Sequence, residues 1–269
     1  MSEVVVAANT GFLWKDHPFL ERIALTARHG FDAVEFHDEA QRHDLDDVRR
    51  ALAEAGLPLL GLNTRMDDTA GCAALPDMKE QARNDIEQAI EIVRTLGGRA
   101  VHVMAGKPPR EGGAVVAEAM EIYRDNLRFA CDRAATTKTD AAPNGLRILI
   151  EPLCEAAVPG YAITSVAEAA TVVRAVERPS LAIMFDVFHV RQADGDVLAA
   201  YAEHASMIGH VQLAHPETRA EPSVVGHDAV GSLVRSLRNA GYSRAFGAEY
   251  VPNGTVEEGL DWLDTVRKA

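Results

Sequence analysis

Cysteine is scarce in this 269-residue chain: Cys72, Cys131 and Cys154 are too few and too scattered for a disulfide framework, and none belongs to a CxxC pair. A reducing cytoplasm is therefore the expected location. The opening MSEVVVAANTG has no basic n-region and only a short apolar run, so it does not read as a secretion signal. No apolar stretch reaches the roughly 18 residues that a membrane-spanning helix needs. Basic residues are also in short supply, 27 Lys+Arg against 40 Asp+Glu, a formal charge of −13. Phosphate backbones and anionic membranes recruit clustered Lys and Arg, so neither nucleic acid nor a membrane is an expected partner. Finally, no GxGxxG follows the first apolar run, where AANTGFLW holds one glycine, which speaks against a dinucleotide-binding sheet.

What the chain does have is ordinary globular composition, 47% hydrophobic and 25% charged, with a repeated alternation of short apolar runs and longer amphipathic segments. The runs at 4–9, 32–37, 58–63, 99–104, 146–151, 181–186, 207–212 and 245–249 are rich in Val, Ile, Leu or Phe, as strands buried on both faces are. Helical patterns at 44–55, 77–96, 112–135 and 165–177 lie between them. Gly30, Gly56, Gly97–Gly98 and Gly241 follow helical segments where left-handed caps are wanted, and Arg174, Arg178 and Pro179 mark a helix end before the sixth run. Eight units of about 34 residues have the size of βα modules, and such alternation implies parallel strands joined by right-handed crossovers. The fold class expected is α/β, a (β/α)₈ TIM barrel forming a single domain over residues 1–269; a doubly wound open sheet is the competitor. The turn-rich stretch 136–145 leads from helix into strand, hence toward the stability face, and reads as a solvated connection.

In such a barrel chemistry sits at the C-terminal strand ends. Those ends are Asn9, His37, Asn63, Met104, Glu151, Asp186, Gln212 and Glu249. The last four bear oxygen and come from consecutive strands. One such carboxylate is commonly a helix cap or a rim residue. Three carboxylates and an amide converging on half of the mouth would repel severely without a cation. An all-oxygen set suits a hard divalent ion, Mg²⁺ or Mn²⁺, with structural hydrogen bonding as the other reading.

Glu151 and Glu249 would also flank a ligand held there. A divalent cation on an α-hydroxy carbonyl compound acidifies the adjacent C–H; one carboxylate takes the proton, and it or its partner returns one to the neighbouring carbon. That is aldose–ketose isomerisation or epimerisation, without an organic cofactor. His189, three residues past Asp186 and expected on the loop over the mouth, either bonds a substrate oxygen or satisfies local backbone. Arg219 (AHPETRAEP) and Lys107 (MAGKPP) either bind a substrate carboxylate or are surface cations. His102 and His210 lie within strands and read as packed. Cys154 has no base paired with it by spacing.

Eight segments carry a family resemblance: VEF at 34–36, GK at 106–107, IEP at 150–152 with PGY at 159–161, FDVFHV at 185–190, IGHVQLA at 208–214, EP at 221–222 and AEYVP at 248–252. Together they resemble the hydroxypyruvate isomerase family, within the xylose-isomerase-like TIM barrels and close to the 2-oxo-tetronate isomerases. Glutamine at Gln212 separates this branch from the ketose 3-epimerases, which usually have histidine there. The resemblance implies a metal held by Glu151, Asp186, Gln212 and Glu249, with Glu151 and Glu249 as the proton-transferring pair. It places His189 and Arg219 near a small anionic hydroxy-oxo acid, and gives Lys107 a purpose. Two loops depart from the family. SVVGHDAV stands at 223–230 where a Gly-Thr-Gly-Glu type turn is usual, and Leu62-Asn63 replaces His-Asn, followed by Thr64-Arg65, where Arg65 would be an added anion contact. The alternatives are a ketose 3-epimerase or inosose-dehydratase-like enzyme, and a non-catalytic ligand-binding barrel. An endonuclease IV-like nuclease would need more strand-end histidines and a basic surface. Oligomeric state is left open, a homo-oligomer included.

Overall fold

The computed structural model describes residues 4–224, 226 and 229–269. The first half alternates β1 (Val6–Asn9), α1 (Phe19–Arg28), β2 (Ala33–Phe36), α2 (Leu45–Ala55), β3 (Leu59–Asn63), α3 (Lys79–Leu96) and β4 (Ala100–His102). A short hairpin, β5 (Arg110–Glu111) and β6 (Ala114–Val115), precedes α4 (Ala117–Thr136) and β7 (Arg147–Ile150). Then come α5 (Val166–Val176), β8 (Leu181–Asp186), α6 (Val187–Asp194), α7 (Val197–His204), β9 (Ile208–Leu213), α8 (Val230–Asn239), β10 (Phe246–Ala248) and α9 (Asp261–Arg267).

β1, β10, β9, β8, β7, β4, β3 and β2 pair in that order, all parallel, into a closed barrel, as the alternation of runs and helical segments implies. Every strand residue of β1, β2, β4, β8, β9 and β10 is buried, as strands with helices outside and a lumen inside should be. The main core lies between barrel and helices and includes Trp262, Tyr123, Tyr161, Phe36 and Phe185. Among the described residues no helix is long and apolar enough to cross a membrane.

The expected caps form where they matter: α2 and α3 close on Gly56 and Gly97, at φ 67° and 72°. Two expectations are corrected. The helix expected from Gly112 begins only at Ala117, because Gly112 and Gly113, both at positive φ, fold 110–115 back into the hairpin. His189 is not on a loop. It lies in α6, which starts directly from β8 because Asp186 Oδ1 caps it, accepting from Phe188 N at 2.7 Å and His189 N at 3.3 Å. Of the divergent segment 223–230, Val225, His227 and Asp228 lie outside the described residues.

Candidate active site

Parallel register sets the strand ends level. Asp186 of β8 pairs with Gln212 of β9, and Gln212 with Gly247 of β10, so Glu249 emerges beside them; Glu151 follows β7 on the other side of Asp186. All four are buried, between 1% and 6% exposed, although three are carboxylic acids. Ionised carboxylates at such depth need compensation, and each finds a different one.

Glu249 is saturated. Oε2 accepts from Asn9 Nδ2 at 2.8 Å and Gln212 Nε2 at 2.5 Å, Oε1 accepts from an Arg219 N–H at 3.1 Å, and His37 Nε2 stands 3.7 Å away. Burial alone would raise its pKa, but His37 and Arg219 hold it below the ordinary glutamate value. Glu151 lacks such donors. Burial, reinforced by the negative charges of Glu249 and Asp186, pushes it well above the ordinary value. Asp186 is also pushed up by burial, against the pull of Arg219, whose guanidinium lies 3.8 Å from Oδ2. Its two oxygens have separate fates: Oδ1 caps α6, while Oδ2 has no hydrogen-bond partner among the described residues. Capping the helix thus occupies one oxygen of this side chain and not the other.

Glu151 Oε1, Gln212 Oε1 and His189 Nε2 are left in the same condition, buried and without a partner among the described residues. Buried polar atoms are normally satisfied, so four orphans at one place mark where a ligand belongs. Ligand atoms of Glu151, Asp186 and His189 lie within 4.8 Å of one another, a group able to hold a metal ion. The orphan oxygens match a hard cation. His189 fits less well as a ligand. Its Nδ1 accepts from the backbone N–H of Cys154 at 3.2 Å, which puts the proton on Nε2 and makes that atom a donor. Burial keeps His189 neutral, its pKa lowered to about 3.

Arg219 reaches the mouth with a backbone at φ 60°, an uncommon conformation for a side chain of this size. Its guanidinium stacks over Phe12 at 4.5 Å and Phe188 at 5.3 Å, so aromatic walls aim it at Glu249 and Asp186. Lys107 does not join it: the residue is exposed in the loop after β4, without an ion pair among the described residues. Arg65 is drawn elsewhere, donating to Gln88 Oε1 at 3.2 Å and lying 3.9 Å from Asp85. Cys154 does acquire a neighbouring base through the fold, His189 Nδ1 at 3.2 Å from Sγ. Burial raises the thiol's pKa while it lowers that of the imidazole, so no thiolate–imidazolium pair forms.

Spacing left unnoticed the residues that support this cluster from below. Glu35, in the middle of β2, accepts from Gln212 Nε2 at 3.1 Å through Oε2, and its Oε1 lies 2.6 Å from His210 Nε2, a short approach without hydrogen-bond angles. Gly247 makes the meeting feasible, since a Cβ there would stand 2.6 Å from Glu35 Oε2 and 2.9 Å from Gln212 Cγ. His102 is within the site rather than merely packed: Nδ1 lies 3.1 Å from Asn63 Oδ1 and 3.7 Å from Glu151 Oε2. The available signal for Glu35 was a glutamate flanked by apolar residues in a wholly buried strand.

The model of the xylose isomerase-like TIM barrel family matches residues 23–266. The chain is 33% identical over 263 residues to 2-oxo-tetronate isomerase from Pectobacterium atrosepticum, covering 96% of each chain. It is 29% identical over 265 residues to hydroxypyruvate isomerase from Escherichia coli, covering 97% of this chain and 98% of the relative. Among solved structures, a Brucella melitensis protein described as an AP endonuclease of family 2 is similar at TM-score 0.88 and 32% identity, with coverage of 98% and 99%.

Proposed function

The chain belongs to the xylose isomerase-like TIM barrel family and is an enzyme of isomerase type, and from that premise we propose that its substrates are small hydroxy-oxo acids of the hydroxypyruvate or 2-oxo-tetronate kind. We take residues 1–269 as a single barrel domain. The observation that carries the reading is the group of buried atoms on Glu151, Asp186 and Gln212 that have no partner among the described residues, with the guanidinium of Arg219 3.8 Å from Asp186. The free oxygens of Glu151, Asp186 and Gln212 would hold a divalent cation, Mg²⁺ or Mn²⁺, and Glu249 would join them when Arg219 turns from it to the substrate carboxylate. When bound, such a cation polarises the substrate carbonyl and makes the neighbouring C–H more acidic.

The protein's own groups then divide the work. Arg219 receives the substrate carboxylate, with its guanidinium plane fixed between Phe12 and Phe188. His189 gives a hydrogen bond from Nε2–H to a substrate oxygen and keeps its proton, its tautomer set by the Cys154 N–H. One of Glu151 and Glu249 removes the proton from the hydroxyl-bearing carbon, and the electron pair left behind forms the double bond of an enediolate. The same carboxylate, or its partner, delivers a proton to the former carbonyl carbon, while the hydroxyl proton passes to the former carbonyl oxygen, so that the new carbonyl forms where the hydroxyl stood. Lys107, exposed at the rim, attracts the anion toward a mouth in an otherwise acidic chain.

Incubation with Mg²⁺ or Mn²⁺ and hydroxypyruvate in D₂O tests this directly. Tartronate semialdehyde carrying solvent deuterium on carbon is the expected product, and a 2-oxo-tetronate is the second substrate to try. Neither product formation nor deuterium incorporation with either acid would sink the reading; exchange with ketoses alone would move it to a sugar epimerase. The description of the Brucella neighbour raises a nuclease reading, which the charge of −13 disfavours.

A further inference from the structure

A (β/α)₈ barrel normally fills its interior with layers of branched side chains. Below the carboxylate cluster this one mixes large and small side chains: Ala33, Gly61, Ala100 and Gly209 stand among Leu60, Leu149 and Met184, and together they border a cavity of about 790 Å³ that continues outward past the barrel to the 141–146 segment. That volume falls in the range of small-molecule sites. At its inner end the cavity reaches Glu35, His210 and Gln212; at the other it meets the N-terminal strand ends, far from the mouth where Arg219 sits.

The outer end is cationic. Arg99, Arg147 and Arg244 line it, and among the described residues no carboxylate lies within ion-pairing distance of any of them. Arg178 also lines it but is held by Asp132 at 2.7 Å. Arg147 is half-buried, and burial together with the charge of Arg244, which lines the same cavity, lowers its pKa. Gly209 accommodates this arrangement: a Cβ there would stand 2.9 Å from Arg147 Cδ, so glycine lets the arginine stem lie across the lumen. In a chain with a surplus of 13 negative charges, three unpaired arginines gathered at one opening run against composition. The turn-rich segment 136–145, which sequence alone assigns to solvated connection, supplies part of the wall through Pro143 and Asn144.

We propose that the N-terminal half of the barrel lumen is a second binding site, for a small oxyanion carrying phosphate or carboxylate groups, with Arg147, Arg244 and Arg99 as its cationic contacts. Charge-assisted bonds to guanidinium groups are the interaction that such a ligand offers. Its three cationic contacts are not among the residues assigned to the reaction at the opposite mouth, although its inner end shares Glu35 and Gln212 with that site.

Calorimetric titration with pyrophosphate and, separately, with succinate at low ionic strength tests the proposal in the wild type, in R147Q/R244Q and in R219Q. One-site binding of at least one probe is expected in the wild type and R219Q, weakened tenfold or more in R147Q/R244Q. Arg244 is exposed, so R244Q alone serves if the double variant does not fold, with a smaller loss expected. Pyrophosphate without succinate marks a phosphate site, and the reverse a carboxylate site. No binding of either probe overturns the proposal, as does binding that survives in R147Q/R244Q but vanishes in R219Q. Because these titrations involve no turnover, they fail or succeed separately from the isomerase assay.

Discussion

Glu35→Gln isolates what the lower support of the site contributes. Glu35 offers two acceptor oxygens, one to Gln212 Nε2 at 3.1 Å and one facing His210 Nε2 at 2.6 Å. Only the Gln212 contact has hydrogen-bond geometry, and glutamine brings one carbonyl oxygen and an NH₂ group in place of two acceptors, so either the Gln212 N–H or the new NH₂ is left without an acceptor. A buried donor left unsatisfied costs about 1–3 kcal/mol, which at about 1.4 kcal/mol per decade is roughly 5- to 150-fold. Where the loss falls follows from Gln212. With Nε2 held by both Glu35 and Glu249, its Oε1 is left unpartnered beside Asp186; with Glu35 gone, the amide is free to turn. Outer residues that orient metal ligands typically change affinity or activity by about 10- to 100-fold. We therefore expect E35Q to bind Mn²⁺ roughly 10- to 100-fold more weakly by calorimetry, with a matching fall in kcat/KM for hydroxypyruvate. In a cycle with Gln212→Leu, the second substitution should add little to the first, because both act through one side chain. Wild-type Mn²⁺ affinity and turnover in E35Q, or fully additive losses in the cycle, would refute the positioning role.

Glu249→Gln should lower kcat by about 10²- to 10⁴-fold, the range for losing a proton-transferring carboxylate, while far-ultraviolet circular dichroism stays unchanged. Dialysis against a chelator should abolish isomerisation, and Mn²⁺ or Mg²⁺ should restore it; activity that survives complete metal removal counts against the cation. Arg219→Lys gives up the planar group between Phe12 and Phe188 and should raise KM about tenfold, with a smaller change in kcat. For stability, Asp38 is the pH-sensitive group to follow. Burial would raise its pKa, but two bonds from Arg42, at 2.7 and 2.6 Å, and one from Met66 N hold it below the ordinary value. Its contribution is full above the unfolded carboxylate value near about 4 and is lost as pH falls through the lower folded value. Asp38→Asn should thus cost about 1–2 kcal/mol at neutral pH, and urea titrations should show the gap from wild type closing below about pH 4.

Much of the barrel was legible because its units are local. Leu181–Asp186 is the strand expected, and α2, α3 and α5 lie within a residue or two of their amphipathic patterns. Strand ends were overrun where buried runs continue past the ladder, as at Met104, which follows β4 without pairing in it. The expected helix at 112–135 lost its first turn to a pair of glycines that periodicity does not register. For the site, reading the last residue of each strand found Glu151, Asp186, Gln212 and Glu249, since parallel pairing puts all strand ends at one mouth.

By itself, then, the sequence determined the barrel and which oxygen-bearing residues gather at one of its mouths, because strand alternation and parallel connection are properties of neighbouring residues. Only the tertiary structure decided which atoms remain free. Glu249 is saturated by Asn9, Gln212 and Arg219, residues 240, 37 and 30 positions away, while Glu151 Oε1 and Asp186 Oδ2 find no partner among the described residues. It also decided that Glu35 meets Gln212 across Gly247, and that residues on separate strands border a cavity lined by three arginines. The reason is geometric. Closing the sheet joins side chains from opposite ends of the chain, and neither hydrogen-bond saturation nor empty volume is encoded by any one segment.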